Sequence, residues 1–359
     1  MARSKSKNVG IIGLGIIGSR IAAVLRKRGW QVYVWNRTPR PEQNFLGSPA
    51  EVAQLCGVIQ IFVSDDEALL EIIRQLIPAL TGRHIITAHS TVSPESTRAA
   101  AGMVERRGAR FLDAPFTGSK AAAENGQLVY YIGGDEDALR QARPILEASS
   151  KEIVVIGEIG DATVMKVATN LVTAATAQVA AEALALVRRS GIAAELFVRA
   201  MKSNATNSTT LEMKLPKMVQ GDFEPHFSVK HMLKDVRIAA KMAGDFDLEL
   251  PVTEAAGDVL LEELKHGRGD ADYSSIAQKY FPVSASVVRP PEGSITQTEP
   301  KPEAKSQTLP VEKANQAVIK KEETVVPVRH VEEPKREKEE IPEGVNLSGG
   351  IRSWFRRRS

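Results

Sequence analysis

Cysteine is almost missing from this chain: Cys56 is the only one in 359 residues. No intrachain disulfide can form, which fits a reducing compartment and makes a cytoplasmic location the expectation. Cys56 itself, in AEVAQLCGVIQ, reads as a small buried apolar residue. An excess of charge is also missing. The net charge of +3 is too near balance to argue for nucleic acid as a partner. No apolar run approaches the ~20 residues of a membrane span, so no transmembrane helix is expected. The opening MARSKSK is basic but lacks the apolar core and cleavage site of a secretory signal, and it reads as a short frayed arm. The histidines are few and scattered. His84, His226, His231 and His266 show no metal-ligand spacing, and His89 reads as the cap of a strand end. No metal is assigned.

What is present divides into three stretches. Up to about residue 160, short β-branched runs alternate with helical patterns. The strand candidates are NVGIIG, WQVYVWN, VIQIFVS, HIITAHS, ARFLDAP, LVYYIGG and EIVVIG. Helices are expected near 18–28, 48–55, 66–78, 94–106 and 136–148, and SPAEV and SPEST each supply a Ser N-cap followed by Pro and an acid. Such alternation predicts a parallel sheet covered on both faces. From residue 161 the pattern is helical throughout. DATVMKVATNLVTAATAQVAAEALALVRRSG is apolar on almost every face and predicts a buried helix, whose surface exceeds what one small helical domain covers. A homodimer or homotetramer is therefore expected. More helices follow near 193–202, 208–219, 227–244 and 251–265. From about Val283 the composition turns to Pro, Glu, Lys, Ser, Thr and Gln, which predicts disorder to the end. The last stretch, GGIRSWFRRRS, sets Trp354 and Phe355 among arginines. It reads either as a solvated tail or as a docking segment for a protein partner or an anionic surface.

The run Gly13-Leu14-Gly15-Ile16-Ile17-Gly18 lies between the first strand and the first helix. In that context G-x-G-x-x-G is a dinucleotide-binding turn. Gly13 permits the tight bend, Gly15 lets the backbone meet the pyrophosphate, and Gly18 lets helix and strand pack closely. The helix start offers free N–H groups and a positive dipole end to the phosphates. Together with the alternation, the turn predicts a Rossmann fold: a doubly wound parallel sheet over residues 1–160, an all-helical substrate and dimerisation domain over 161–282, and a disordered tail over 283–359. At the end of the second strand, where an acid would hold a ribose 2′-hydroxyl, the chain has Asn36, Arg37 and Thr38. A carboxylate would repel a 2′-phosphate, whereas Arg37 attracts one and its neighbours add hydrogen bonds. The expected cofactor is NADP(H), with NAD(H) the less favoured. The plainer alternative makes Arg37 a solvent-facing loop charge.

Lys166 is the informative residue of the helical half. It enters a helix that is otherwise nearly uncharged, four residues before Asn170 and on the same face. Burial would lower its pKa toward the range useful for proton transfer. Such a lysine can protonate a carbonyl oxygen while hydride reaches the carbon. The alternative is a lysine snorkelling from the helix end.

The glycine turn, STVSP, DAPFTGSKAAAENGQL, the Lys–Asn pair of MKVATN, and KHMLKD occur in this order between residues 8 and 282. In order and spacing they resemble the β-hydroxyacid dehydrogenases, the group that holds 3-hydroxyisobutyrate dehydrogenase, tartronate semialdehyde reductase and the glyoxylate/succinic semialdehyde reductases. The TGSK…AENG version is most similar to the last branch. The resemblance implies that Lys166 is the catalytic acid/base and that Thr117, Gly118 and Ser119 hold a substrate carboxylate. It implies that Asn170 orients Lys166 and substrate, and that Thr91 and Lys234 contact the cofactor. Asp235 would steady the pocket through a lysine, and Phe227 would cover the substrate. Thr117 stands where the family more often has Ser; the hydroxyl survives, and the added methyl narrows the pocket.

The activity so implied is NADPH-dependent reduction of a small aldehyde acid, of the glyoxylate or succinic semialdehyde type, to its hydroxy acid. Two alternatives stay open: 3-hydroxyisobutyrate or tartronate semialdehyde dehydrogenase activity, and a nucleotide-binding adaptor working through its tail. Imine reductases of similar architecture typically replace the lysine, so Lys166 counts against that class.

Overall fold

The computed structural model describes residues 7–281. The expected N-terminal arm, the expected disorder from Val283 and the GGIRSWFRRRS segment lie outside the described residues.

The chain runs β1 (Asn8–Ile12), α1 (Gly18–Lys27), β2 (Gln31–Trp35), α2 (Pro49–Leu55), β3 (Val58–Ile61), α3 (Asp66–Leu76), β4 (Ile85–Ala88), α4 (Pro94–Glu105) and β5 (Arg110–Asp113). It continues through β6 (Phe116–Thr117), α5 (Lys120–Glu124), β7 (Leu128–Gly134), α6 (Glu136–Glu147) and β8 (Ser150–Gly157). Five more α-helices follow: α7 (Asp161–Arg189), α8 (Ala194–Lys202), α9 (Thr209–Gln220), α10 (Val229–Asp245) and α11 (Pro251–Lys265). The expected serine caps form. Ser48 and Ser93 each accept the N–H three residues on, at 3.2 Å, with Pro at the first helical position.

β1 to β5 are parallel in the order β2-β1-β3-β4-β5. All four residues of β4 are buried, as an interior parallel strand requires. The order reverses between β1 and β3, so the crevice at their C-terminal ends is where such a sheet takes a ligand. The sheet is not parallel throughout. β7 runs antiparallel to β5 and β6 in one continuous register, and β8 pairs parallel with β7. The two-residue β6 and the one-turn α5 lie below the length at which periodicity identifies an element. Apolar cores fill both faces of the sheet. One gathers Ile11, Leu25, Val34, Leu128 and Tyr130, the other Ile12, Ile61, Ile73, Ile86 and Val104.

α7 is the spine of the helical half. Ala174, Ala177, Ala181 and Leu184 bury against a core that includes Leu215 of α9, Met232 and Val236 of α10, and Leu260 of α11. Two expectations need correction here. By length and composition α7 is apolar enough to cross a membrane, although no such run was expected. One such helix is weak evidence for a span, and α7 serves as a core helix, packed on the sheet and on α9 to α11. Nor is it buried all round: Val172, Val179 and Leu186 are 68%, 58% and 70% exposed, at seven-residue spacing on one outer stripe. Small side chains let the inner face pack closely, while the outer apolar stripe has no cover among the described residues.

Candidate active site

The glycine turn is built as its spacing requires. Gly13 has φ +95°, and a Cβ there would lie 2.0 Å from the Phe62 carbonyl oxygen. A Cβ on Gly18 would lie 2.0 Å from the Gly13 oxygen, so α1 can start this close to β1 only without a side chain. Gly15 differs: nothing lies within 4 Å of where its Cβ would be. The space beside it is open, and the N–H groups of Gly15, Ile16 and Ile17 have no hydrogen-bond acceptor among the described residues. That is the arrangement a pyrophosphate needs, and these residues fit a dinucleotide. Leu14 plays another part. Its side chain is buried in the core and its N–H donates to Asn36 Oδ1 at 2.9 Å.

Asn36 is therefore tied to the turn, and its Nδ2 donates to the Thr38 carbonyl at 2.8 Å. Arg37 and Thr38 are exposed at the end of β2, and the Arg37 guanidinium makes no hydrogen bond or ion pair among the described residues. An unengaged guanidinium beside the crevice suits a phosphate. Sequence reasoning missed Asp65 nearby. It caps α3 by accepting from Ala68 N–H at 2.9 Å. Burial pushes its carboxyl upward, but the Ser64 hydroxyl, the Ala68 N–H and the charges of Lys234 and Arg37 together hold it below the usual range. Asp66, also missed, accepts from Ser93 N–H, Ser93 Oγ and Ser96 Oγ at 3.0, 2.6 and 2.9 Å, and so fastens the STVSP segment to α3. The signal was in SDDE, three acids at a strand–helix junction; Asp65 caps its own helix, but the partners of Asp66 lie 27 and 30 residues away.

The predicted residues of α7 and α10 meet in one bonded chain. Lys166 Nζ donates to Asn170 Oδ1 at 2.7 Å. Asn170 Nδ2 donates to Asp235 Oδ2 at 2.5 Å, and Lys234 Nζ donates to Asp235 Oδ1 at 2.7 Å. Lys234 also donates to the Thr91 carbonyl, which joins the chain to the end of β4. Asp235 is 1% exposed, so its charge acts in a poorly screened setting. The Lys166 ammonium is pushed down to about 8 by burial, against the upward pull of Asp235, while Lys234 adds to the lowering. An amine at that value both gives and takes a proton near neutral pH.

Thr117, Gly118 and Ser119 lie where β6 enters α5. Gly118 has φ +140°, and a Cβ there would meet Leu128 Cδ2 at 2.7 Å. Ser119 caps α5 by accepting from Ala122 N–H at 3.2 Å, which leaves its own proton to donate. Arg20 of α1 reaches Glu124 of α5 at 2.7 Å and holds this loop beside the glycine turn. Phe227 is not part of the bonded chain. It stacks with His231 at 6.0 Å and meets Tyr273 edge-on at 6.2 Å. Its loop is pinned by Asp272, which accepts the His226 and Phe227 N–H groups and pairs with Lys214 at 2.8 Å. His89 is a structural group, as expected. Its Nδ1–H donates to the Ala114 carbonyl at 2.6 Å, its Nε2 accepts from Thr87 Oγ1 at 3.0 Å, and its ring stacks on Phe62 at 4.6 Å. Burial drives it down to about 3, so it stays neutral. No cluster of metal-ligating residues occurs among the described residues.

Comparison with known proteins agrees with this architecture. Residues 8–157 match the family described as the NAD binding domain of 6-phosphogluconate dehydrogenase. Residues 160–280 match the one described as NAD-binding of NADP-dependent 3-hydroxyisobutyrate dehydrogenase. The chain is 29% identical over 282 residues to glyoxylate/succinic semialdehyde reductase 2, chloroplastic, of Arabidopsis thaliana, covering 76% of this chain and 78% of that protein. It is 30% identical over 279 residues to cytokine-like nuclear factor N-PAC of Mus musculus, but spans only 51% of that protein's length against 77% of its own. The solved structure of Mycobacterium tuberculosis 3-hydroxyisobutyrate dehydrogenase with L-serine shares the fold at a TM-score of 0.69 and 24% identity, covering 76% of this chain and 98% of that one.

Proposed function

The chain belongs to the β-hydroxyacid dehydrogenase family, nicotinamide-dependent enzymes acting on CH–OH groups, and from that premise we propose that it reduces a small aldehyde acid to its hydroxy acid with NADPH. The observation that carries this reading is the bonded chain that ends on Lys166, an amine pushed down to about 8 by burial. Thr117, Gly118 and Ser119 hold the substrate carboxylate through hydroxyl and N–H groups, and Phe227 closes over it. NADPH, when bound, supplies the hydride for the carbonyl carbon. Gly15, Ile16 and Ile17 hold its pyrophosphate through their unpaired N–H groups, Arg37 and Thr38 take its 2′-phosphate, and Asn36 keeps the glycine turn in shape. Lys166 gives its proton to the carbonyl oxygen. Asn170 keeps the amine aimed, and Asp235, itself held by Lys234, keeps Asn170 from rotating. Supporting the glyoxylate or succinic semialdehyde class is the likeness to a reductase of that name.

The test is a panel of aldehyde acids followed by loss of NADPH absorbance, with NADH alongside. Lys166→Ala should lower kcat by roughly 10²–10⁴-fold and leave NADPH affinity unchanged. Intact turnover in that variant rejects the assignment. The second reading is a nucleotide-binding adaptor working through its tail; NADPH binding with no turnover on the whole panel would favour it. In either case we propose that a second copy of the chain covers Val172, Val179 and Leu186. Light scattering that gives a monomer at micromolar concentration rejects the oligomer.

A further inference from the structure

α7 carries Lys166 but has no cap of its own. The residue at its N-cap position is Gly160, with φ +102° and no side chain to accept an N–H. The cap comes from the sheet instead. Asp113, the last residue of β5, is 1% exposed and accepts the Gly160 N–H at 3.0 Å and the Thr163 N–H at 2.9 Å through Oδ2. Its Oδ1 accepts from Thr163 Oγ1 at 2.8 Å. This is N-cap bonding supplied from about fifty residues upstream, and it puts a carboxylate at the positive end of a 29-residue helix.

The same turn is gripped from two more sides. Gly133 pairs with Asp113 across the sheet, and a Cβ there would lie 2.2 Å from the Glu158 oxygen in the loop that leads into α7 and 3.5 Å from Ala162 N in its first turn, so the start of α7 packs on the sheet where there is no room for a side chain. From α4, Thr97 Oγ1 lies 3.3 Å from Thr163 Oγ1, and the Arg98 guanidinium sits 3.2 Å from where a Cβ of Gly160 would be. Lys166 follows Thr163 by three residues and so shares its face of the helix.

We propose that Asp113 is a positioning residue for Lys166: by capping α7 from the nucleotide-binding sheet, it sets the height and rotation at which the amine faces the crevice. The claim rests on the reading of Lys166 as proton donor. Asp235 and Asn170 hold the amine from the α10 side; Asp113 holds the helix beneath it. Burial pushes the Asp113 carboxyl up to about 6 despite its three donors, and an apolar residue in its place would leave those three buried donors without an acceptor.

The experiment compares Asp113→Ala and Asp113→Asn with the unaltered chain. An amide oxygen can still accept both N–H groups, while its NH2 turns to Thr163 Oγ1. In Asp113→Ala, kcat should fall on the order of 10- to 100-fold, because small displacements of a reacting group cost that much. The KM for NADPH should stay within about twofold, since the glycine turn is untouched. Asp113→Asn should recover most of the loss. A kcat for Asp113→Ala within about twofold of the unaltered chain, or an Asn variant as impaired as the Ala variant, overturns the proposal. If the Ala variant does not fold, Thr163→Val takes its place. It removes the 2.8 Å bond and the 3.3 Å contact with Thr97 Oγ1 while leaving both N–H bonds to Asp113, and an unchanged kcat there overturns the proposal equally. A second readout does not depend on the substrate: the pH midpoint for acylation of Lys166, followed by mass spectrometry. It should move toward the ordinary lysine value in Asp113→Ala as the first turn opens to water. If the unaltered chain reduces no aldehyde acid, the functional reading fails; an altered midpoint would still uphold Asp113, and an unaltered one would reject it.

Discussion

Asp235→Asn is the sharpest probe of the site, because it removes one charge and keeps the shape. In the reductive direction the amine must carry a proton. The rate kcat/KM should therefore be level at low pH and fall tenfold per unit above the Lys166 value of about 8. The Asp235 carboxylate favours the ammonium, reaching it through Asn170 by bonds of 2.5 and 2.7 Å. That path puts the two charges about 7 Å apart, and at an effective dielectric of about 20 their attraction is worth about 2 kcal/mol, or between one and two pH units. The amide should also turn Asn170, because two NH2 groups cannot face each other, and Lys166 then loses its acceptor. Both effects favour the neutral amine. The falling limb of the Asp235→Asn profile should move down by roughly one to two pH units, so that activity lost at pH 7.5 returns near pH 6. Initial rates of NADPH loss across that range give the answer. Recovery at low pH separates this result from misfolding, which acid would not repair. A limb that stays in place, or moves upward, refutes the electrical coupling of Asp235 to Lys166.

Three other outcomes follow from the same geometry. Lys166→Met should stabilise the fold while abolishing turnover: the amine titrates lower in the folded chain than in the unfolded one, so its protonated form is penalised below about 8 and the penalty fades as pH rises toward 10.5. The gain at pH 7 is up to about 3 kcal/mol and should vanish by pH 10.5 in paired thermal melts; a lower Tm for the Met variant at pH 7 contradicts the burial argument. Gly15→Ala should leave the melting temperature of the free protein unchanged and weaken NADPH binding at least tenfold, whereas Gly18→Ala, with its Cβ 2.0 Å from the Gly13 oxygen, should lower the melting temperature itself. Equal effects of the two changes would mean that the turn does not meet a phosphate at Gly15. Arg37→Ala should reduce kcat/KM for NADPH by roughly 10- to 100-fold, the worth of a charged hydrogen bond, and leave NADH turnover alone; parallel losses with both cofactors would remove Arg37 from the 2′-phosphate site.

Local pattern by itself determined much of this protein. β-branched runs placed the seven longer strands of the sheet, Ser-Pro-acid sequences placed the starts of α2 and α4, and three glycines marked a turn in which two positions leave no room for a Cβ and the third opens to solvent. Those features depend on neighbours within a few residues, so they survive in one dimension. Chain direction in the sheet does not: nothing in LVYYIGG distinguishes an antiparallel β7 from a parallel one, because both alternate sides in the same way. The exposure of Val172, Val179 and Leu186 was equally hidden, since an apolar side chain does not record which face of its helix finds a neighbour. Only the tertiary structure decided who answers whom across distance. Asp113 caps a helix that begins at Asp161, Asp66 holds Ser93, and Asp235 steadies Asn170 from another helix. Such bonds are set by where the fold brings polar groups out of water, and a buried donor takes the acceptor that stands beside it in space rather than the one beside it in the chain.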